Sequence, residues 1–186
     1  FCAGADVSWM SRTIHYSEAD NLRDANAAAH MFTTIDRLPV PLIARVHGAA
    51  LGGGAGLAAV CDIVVAEEEA MFAFTEVKLG IVPAMISPFV VAKIGSSAAR
   101  ELFLTARLIA AARARDIGVV HAVVASPLLD ETVAASVGDV LAAGPEATAA
   151  AKALIRHVSP PPHGDVHALT ARTIAARRVS AEGQEG

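Results

Sequence analysis

An α/β fold with an all-helical C-terminal third is the architecture the sequence predicts, on three observations. Short apolar runs of strand length, at residues 42–46, 63–66 and 71–74, alternate with segments whose apolar residues recur at helical spacing. A glycine-rich turn, Gly52-Gly53-Gly54, joins one such run to a helix. From residue 129 onward the chain is Ala-rich and helical, interrupted at Gly144-Pro145 and again at residues 160–162, three prolines that read as a stiff linker.

In chain order, residues 1–6 read as the end of a strand entering a small-residue turn, followed by a polar segment. Over residues 21–38 the positions Leu22, Ala25, Ala29, Phe32 and Ile35 fall on one helical face, and Pro39 and Pro41 end that helix. Residues 42–46 read as a strand covered on both faces. After the glycine run and a short helix come a second buried strand at 63–66, a charged turn at 67–69, and a third strand at 71–74. In that third strand Met71 and Ala73 face opposite Phe72 and Phe74. Residues 84–94 form an apolar helix that Gly95 stops, and Ser96 or Ser97 can cap a helix over 98–107. A short helix at 110–116, a strand at 119–124 and a last helix at 167–179 complete the pattern. No solenoid repeat is present.

The 186 residues, 54% hydrophobic, suffice for one core or one and a half. A net charge of −4, with no run of Lys or Arg, argues against nucleic acid as a partner. Two cysteines, Cys2 and Cys61, are too few for a disulfide framework and read as thiols of a reducing, cytoplasmic environment. The longest uncharged stretch, 79–92, is too short to span a bilayer and contains Pro83 and Pro88, so no membrane association is expected. No signal peptide opens the chain, and residue 1 is Phe, so the sequence reads as a fragment. The seven histidines show no metal-ligand spacing; His47 and His121 read as structural, and no metal is expected. Asp62 reads as a structural hydrogen-bond acceptor. Ser87 and Ser96 lack a signature His/Asp partner, which sets serine hydrolysis aside.

Chemistry concentrates in VHGAALGGGAGLAAVCD, residues 46–62. Glycines there let a ligand approach bare N–H groups, and a helix starting after them leaves its first amides without internal partners. Such amides stabilise a phosphate or an oxygen that becomes negative during reaction. The plain alternative is a tight packing turn. Glu76, just past the third strand, is a candidate proton carrier if burial raises its pKa; otherwise it caps the following turn or pairs with Lys78.

FCAGADVSWM at 1–10, the glycine stretch at 46–62, FTEVKLGIVP at 74–83 and AARELFLTARLIAAARARDIGVV at 98–120 together resemble the enoyl-CoA hydratase/isomerase, or crotonase, family. The resemblance implies a spiral of ββα turns, here partial, and divides the chain into a core with the CoA and oxyanion site (1–125) and a C-terminal helical oligomerisation region (126–186). It also implies that roughly a quarter to a third of the usual family length is missing. The ligand it implies is an acyl-CoA thioester, with coenzyme A as part of the substrate and no separate cofactor. The assembly it implies for the full-length protein is a homotrimer or hexamer. Matched position by position, the two oxyanion donors are the main-chain N–H groups of Ala5 and Gly53. Ala3, Ala5 and Val7 would contact the CoA adenine and pantetheine arm, with Gly52, Gly54 and Gly56 as further substrate-binding positions. Trp9 lines the acyl pocket or simply packs. Ser8 stands where many relatives carry Lys.

Hydratases of this family typically use two glutamates; one matches Glu76, and the other position is Gly56. A single glutamate suits a 3,2-enoyl-CoA isomerase. Yet Trp9-Met10, the glycine run, residues 76–80 and residues 83–88 are similar to bacterial methylglutaconyl-CoA hydratases and their isoprenoid-pathway relatives. The resemblance therefore implies hydration of a branched glutaconyl-type CoA, with Gly56 leaving space for the branch or a water. A cation facing the distal carboxylate is then expected, with Arg12, Lys78 and Lys93 as candidates. The alternative of another class is a CoA-binding or oligomerisation protein without turnover. RNA binding is not expected, because residues 11–30 set Arg12 and Arg23 against Glu18, Asp20 and Asp24.

Overall fold

The computed structural model describes residues 1–13, 15–159, 166–180 and 183; the expected proline linker at 160–162 lies outside them. Helix α1 (Val7–Thr13) opens the chain where only a polar segment was expected. It stands because the Asp6 carboxylate accepts from the Trp9 N–H at 3.0 Å, capping its first turn. Helix α2 (Glu18–Asp36) begins at Ser17, whose hydroxyl accepts from the Asp20 N–H at 3.1 Å. Its buried face carries Asn21, Ala25, Ala29 and Phe32, close to the periodicity in the sequence. Asn21, fully buried, donates to the carbonyls of Thr13 and Tyr16 and so ties α1 to α2.

Strand β1 (Ile43–Val46) follows, then β2 (Ala49–Leu51), helix α3 (Gly53–Val60), β3 (Ile63–Glu67) and β4 (Met71–Ala73). A 3-10 turn (Glu76–Leu79) leads to α4 (Ser87–Thr105), β5 (Ile109–Ala110), α5 (Ala111–Asp116) and β6 (Ala122–Val124). After a second 3-10 turn (Ser126–Leu128) come α6 (Leu129–Leu141), α7 (Pro145–Val158) and α8 (Val166–Arg178). The described strands form two sheets. In one, β1, β3 and β6 are all parallel. In the other, β2 pairs parallel with β4, and β4 antiparallel with β5.

Strand β1 departs from expectation: Ala44 and Val46 point inward, but Arg45 is exposed and pairs with Asp130 of α6, so only one face is fully covered. Helix α4 changes direction at Gly95 (φ 72°, ψ 165°), the expected break, but starts at Ser87 rather than 84. Residues 84–86 are instead a turn, closed by the Ser87 N–H on the carbonyls of Pro83 and Ala84.

The main core runs between the sheets and α3, with Phe72, Phe74, Val46, Val64, Val90 and Leu102 almost wholly buried. Each such side chain contributes about 1.5–3 kcal/mol by leaving water. A smaller cluster joins Ala25 of α2 to Ala171 and Ile174 of α8. Asp62 accepts from the Leu42 N–H at 2.7 Å and from Lys152 of α7 at 2.6 Å, a structural acceptor as the sequence implied. Among the described residues no helix is long and apolar enough to cross a membrane.

Helix α3 lies so close to residue 2 that a Cβ on Gly54 would sit 2.2 Å from the Cys2 carbonyl oxygen. Gly54→Ala is therefore expected to destabilise the fold by about 1–3 kcal/mol in chemical denaturation. Gly138→Ala, in open space on α6, is the control and is expected to be neutral or stabilising by up to about 1 kcal/mol.

Candidate active site

Three backbone segments run parallel and end at one place. Cys2 bridges Ala50, and Ala50 is paired with Phe72. The ladder is closed by the Cys2 N–H on the Ala49 carbonyl and the Leu51 N–H on the Cys2 carbonyl, both 2.9 Å, and by the Gly52 N–H on the Ala73 carbonyl at 2.8 Å. Immediately past that row the chain turns three times, at Gly4-Ala5, Gly52-Gly53 and Thr75-Glu76. Gly4 (φ 103°) and Gly52 (φ 51°) adopt backbone angles that side chains disfavour, which is why these turns are so tight. The first two turns touch: a Cβ on Gly4 would lie 3.1 Å from the Leu51 carbonyl oxygen and 3.9 Å from the Gly53 nitrogen.

Gly53 is the first residue of α3, so its N–H lies beyond the intrahelical ladder. Among the described residues no carbonyl accepts from the N–H of Ala5 or of Gly53. Both residues border a cavity of about 300 Å³, together with Ala3, Trp9, Gly52 and Glu76. Much of the remaining lining is apolar, with Phe32, Leu79, Val82, Met85, Ile86 and Ile174.

Glu76 begins the 3-10 turn after β4 and is half-buried as a residue. Its Oε2 is sealed from solvent and has no hydrogen-bond partner among the described residues. The other oxygen, Oε1, lies 3.5 Å from where a Cβ on Gly52 would be, an ordinary contact distance, so it is the positive φ of 51° rather than crowding that calls for glycine there. Burial pushes the Glu76 carboxyl up from the ordinary value of 4.5 to about 7, against a smaller opposing pull from its own main-chain N–H. A carboxyl poised near neutrality can both give and take a proton.

The structure does not bring every expected residue to the cavity. Gly54 faces the Cys2 main chain instead. Val7 starts α1. Gly56 opens no space for a branch or a water: a Cβ there would meet Ile86 Cγ2 at 2.2 Å and Cβ at 2.8 Å, so Ile86 already fills that volume. None of the three expected cations borders the cavity. Lys78 is exposed, and Lys93 donates to the Cys61 carbonyl at 2.5 Å, on the far side of α3. Arg178 of α8 lines the cavity in their place, a residue sequence reasoning missed. Its partner Asp24 lies 154 positions away, so no local pattern could have pointed to it. His121 Nδ1 accepts from the Val64 N–H at 2.9 Å, a structural role. Among the described residues no group of three or more His, Cys, Asp or Glu is placed to hold a metal ion.

At the end of a parallel strand row, one cavity thus holds two amides without carbonyl acceptors among the described residues and a carboxyl poised near neutrality. A family model for enoyl-CoA hydratase/isomerase matches residues 1–186, and the chain belongs to that family. Enoyl-CoA hydratase ACTT6 of Alternaria alternata is 40% identical over 157 residues, 84% of this chain and 51% of the relative. A crystal structure of an enoyl-CoA hydratase from Shewanella pealeana superposes with a TM-score of 0.81 at 37% identity, covering 100% of this chain and 70% of the other. Pseudomonas aeruginosa AtuE gives a TM-score of 0.82 at 36% identity, covering 100% and 72%. The fold is thus the crotonase α/β architecture. The chain spans about half the length of the curated relatives it matches.

Two outcomes follow from this geometry. Gly56→Ala is expected to cost about 1–3 kcal/mol, and because Ile86→Ala removes the clashing Cγ2, the double variant is expected to lose less in thermal melts than the sum of the two single changes. The Glu76 carboxyl, raised in the folded state, stays protonated between pH 4.5 and about 7 while the unfolded chain ionises. Folding stability from this group is therefore complete below its unfolded pKa and lost as pH rises through 7. Relative to the native chain, Glu76→Gln is expected to be neutral near pH 4.5 and to gain on the order of 2–3 kcal/mol by pH 8, read from denaturation midpoints across that range.

Proposed function

We propose that the full-length protein adds water to a 2-enoyl-CoA thioester through an enolate, with Glu76 as the proton carrier. The observation that supports this most is the buried Glu76 Oε2 without a partner, in the same cavity as the free N–H groups of Ala5 and Gly53. A buried polar atom left unsatisfied costs about 1–3 kcal/mol, so one retained beside a cavity calls for a ligand or a catalytic role.

In this reading the thioester oxygen accepts from the Ala5 and Gly53 amides. The water oxygen bonds to C3 as Glu76 takes one of its protons. The C2–C3 π pair moves onto the thioester oxygen as an enolate, which carries more charge than the starting carbonyl. Fixed donors therefore favour the transition state over bound substrate, each typically by about 10²–10³ in rate. Glu76 then returns the same proton to C2, and the carboxylate is regenerated. One carboxyl near pKa 7 suffices for both transfers. Within this class we favour a branched glutaconyl-type thioester such as 3-methylglutaconyl-CoA. The support is the likeness of residues 9–10, 76–80 and 83–88 to methylglutaconyl-CoA hydratases, and a cavity whose about 300 Å³ suits a short acyl group.

The single carboxylate also supports a second reading, 3,2-enoyl-CoA isomerisation, in which Glu76 carries a proton from C2 to C4 and no water adds. A panel of crotonyl-CoA, a 3-enoyl-CoA and 3-methylglutaconyl-CoA separates the two. Loss of the conjugated-thioester absorbance with a hydroxyacyl product is expected, and migration without hydration would favour the isomerase. Glu76→Gln is expected to lower kcat by about 10²–10⁴ with little change in KM. A variant as active as the parent overturns the acid–base role.

A further inference from the structure

The one cation bordering the cavity, among the described residues, is on the C-terminal helix. Arg178 is deeply buried, its side chain 8% exposed. Its Nη1 donates to Asp24 Oδ2 of α2 at 2.8 Å, and its guanidinium carbon lies 5.1 Å from the centre of the Trp9 ring. Trp9 and Arg178 both line the cavity that Glu76 enters. A guanidinium has five N–H donors in a rigid fork, and among the described residues the bond to Asp24 engages one of them. The cation–π contact with the ring and the bond to the carboxylate hold the fork in place. A surface brace between two helices needs neither a cavity face nor an aromatic platform.

Resting on the hydration reading above, we infer that Arg178 is the specificity-determining residue for an acyl group that ends in a carboxylate. Its remaining N–H donors take the distal carboxylate of a glutaconyl-type thioester. A carboxylate brought into this mostly apolar cavity would otherwise lose its hydration without compensation. Arg178 supplies a charge-assisted partner already desolvated and oriented, so binding orders little. The other anionic part of the ligand, the phosphates of CoA, is the competing source of negative charge. The cavity, at the low end of small-molecule sites, holds an acyl chain and leaves the nucleotide outside.

The test compares 3-methylglutaconyl-CoA with crotonyl-CoA on the full-length protein, since both carry the CoA phosphates and only the first has an acyl carboxylate. Arg178→Gln is expected to lower kcat/KM for 3-methylglutaconyl-CoA at least thirtyfold more than for crotonyl-CoA, chiefly through KM, with Arg178→Lys recovering part. Asp24→Asn leaves the guanidinium charge uncompensated and is expected to lower KM for the carboxylate substrate severalfold relative to crotonyl-CoA. An equal loss on both thioesters is what a helix brace or a phosphate contact would give, and it overturns the inference. Should Arg178→Gln fail to fold, competition on the native protein decides. As inhibitors of crotonyl-CoA hydration, glutaryl-CoA is expected to bind at least tenfold tighter than pentanoyl-CoA, and equal binding overturns the proposal. Native protein that hydrates neither thioester removes the hydration reading itself; hydration of crotonyl-CoA without these discriminations removes only the role of Arg178.

Discussion

Main-chain pairing along one row, Cys2 to Ala50 to Phe72, is the constraint on which the site depends. Because the three segments are parallel, their carboxyl ends leave the sheet on the same edge. An antiparallel neighbour would carry one of the three turns to the opposite edge. The two amides and the backbone that carries Glu76 thus converge by register. Donors set by covalent backbone geometry need no ordering when a substrate arrives, which is the condition under which electrostatic stabilisation is most effective. Such precision comes with intolerance. Gly54 has no space for even a methyl group against Cys2.

Burial of Glu76 and the filling of the space at Gly56 belong together. The carboxyl is raised to about 7 because the apolar wall that includes Val82, Met85 and Ile86 excludes water from it. A second carboxylate at position 56 would restore polarity there, but Ile86 occupies the volume such a side chain would cross. The chain therefore has one acid whose proton affinity is set by hydrocarbon rather than by a like-charged neighbour. An acid of this kind changes protonation state without a large penalty in either direction, as a relay of one proton between water and carbon requires.

What could be read in the sequence was local. The glycine run, the strands around it and Glu76 were legible because each depends on residues within a few positions. Strand β2 was not: its three residues, Ala49–Leu51, blend into the glycine turn and become a strand only by pairing with Cys2 and β4. Strand β5, two residues long, exists by the same kind of pairing. Helix α1 depends on the Asp6 cap more than on periodicity. Gly56 misled because its role is set by Ile86, thirty positions on, and a sequence does not show what faces a missing side chain. None of the expected cations Arg12, Lys78 and Lys93 borders the cavity, which recruits its charge from the other end of the chain.

That recruitment makes α8 part of the site rather than an appendage to it. Arg177 donates through Nε and Nη2 to the Gly80 carbonyl, at 3.1 and 2.8 Å, and Gly80 closes the 3-10 turn that Glu76 begins. The next residue, Arg178, turns to Asp24, Trp9 and the cavity. Successive residues on a helix point about 100° apart, so one helix end both grips the turn that carries Glu76 and lines the cavity. A shift of α8 on α2 would move both at once. Under the proposed reading, geometry at the proton carrier and selectivity at the far end of the acyl chain are therefore mechanically coupled, and the cavity draws on residues from both sides of position 125.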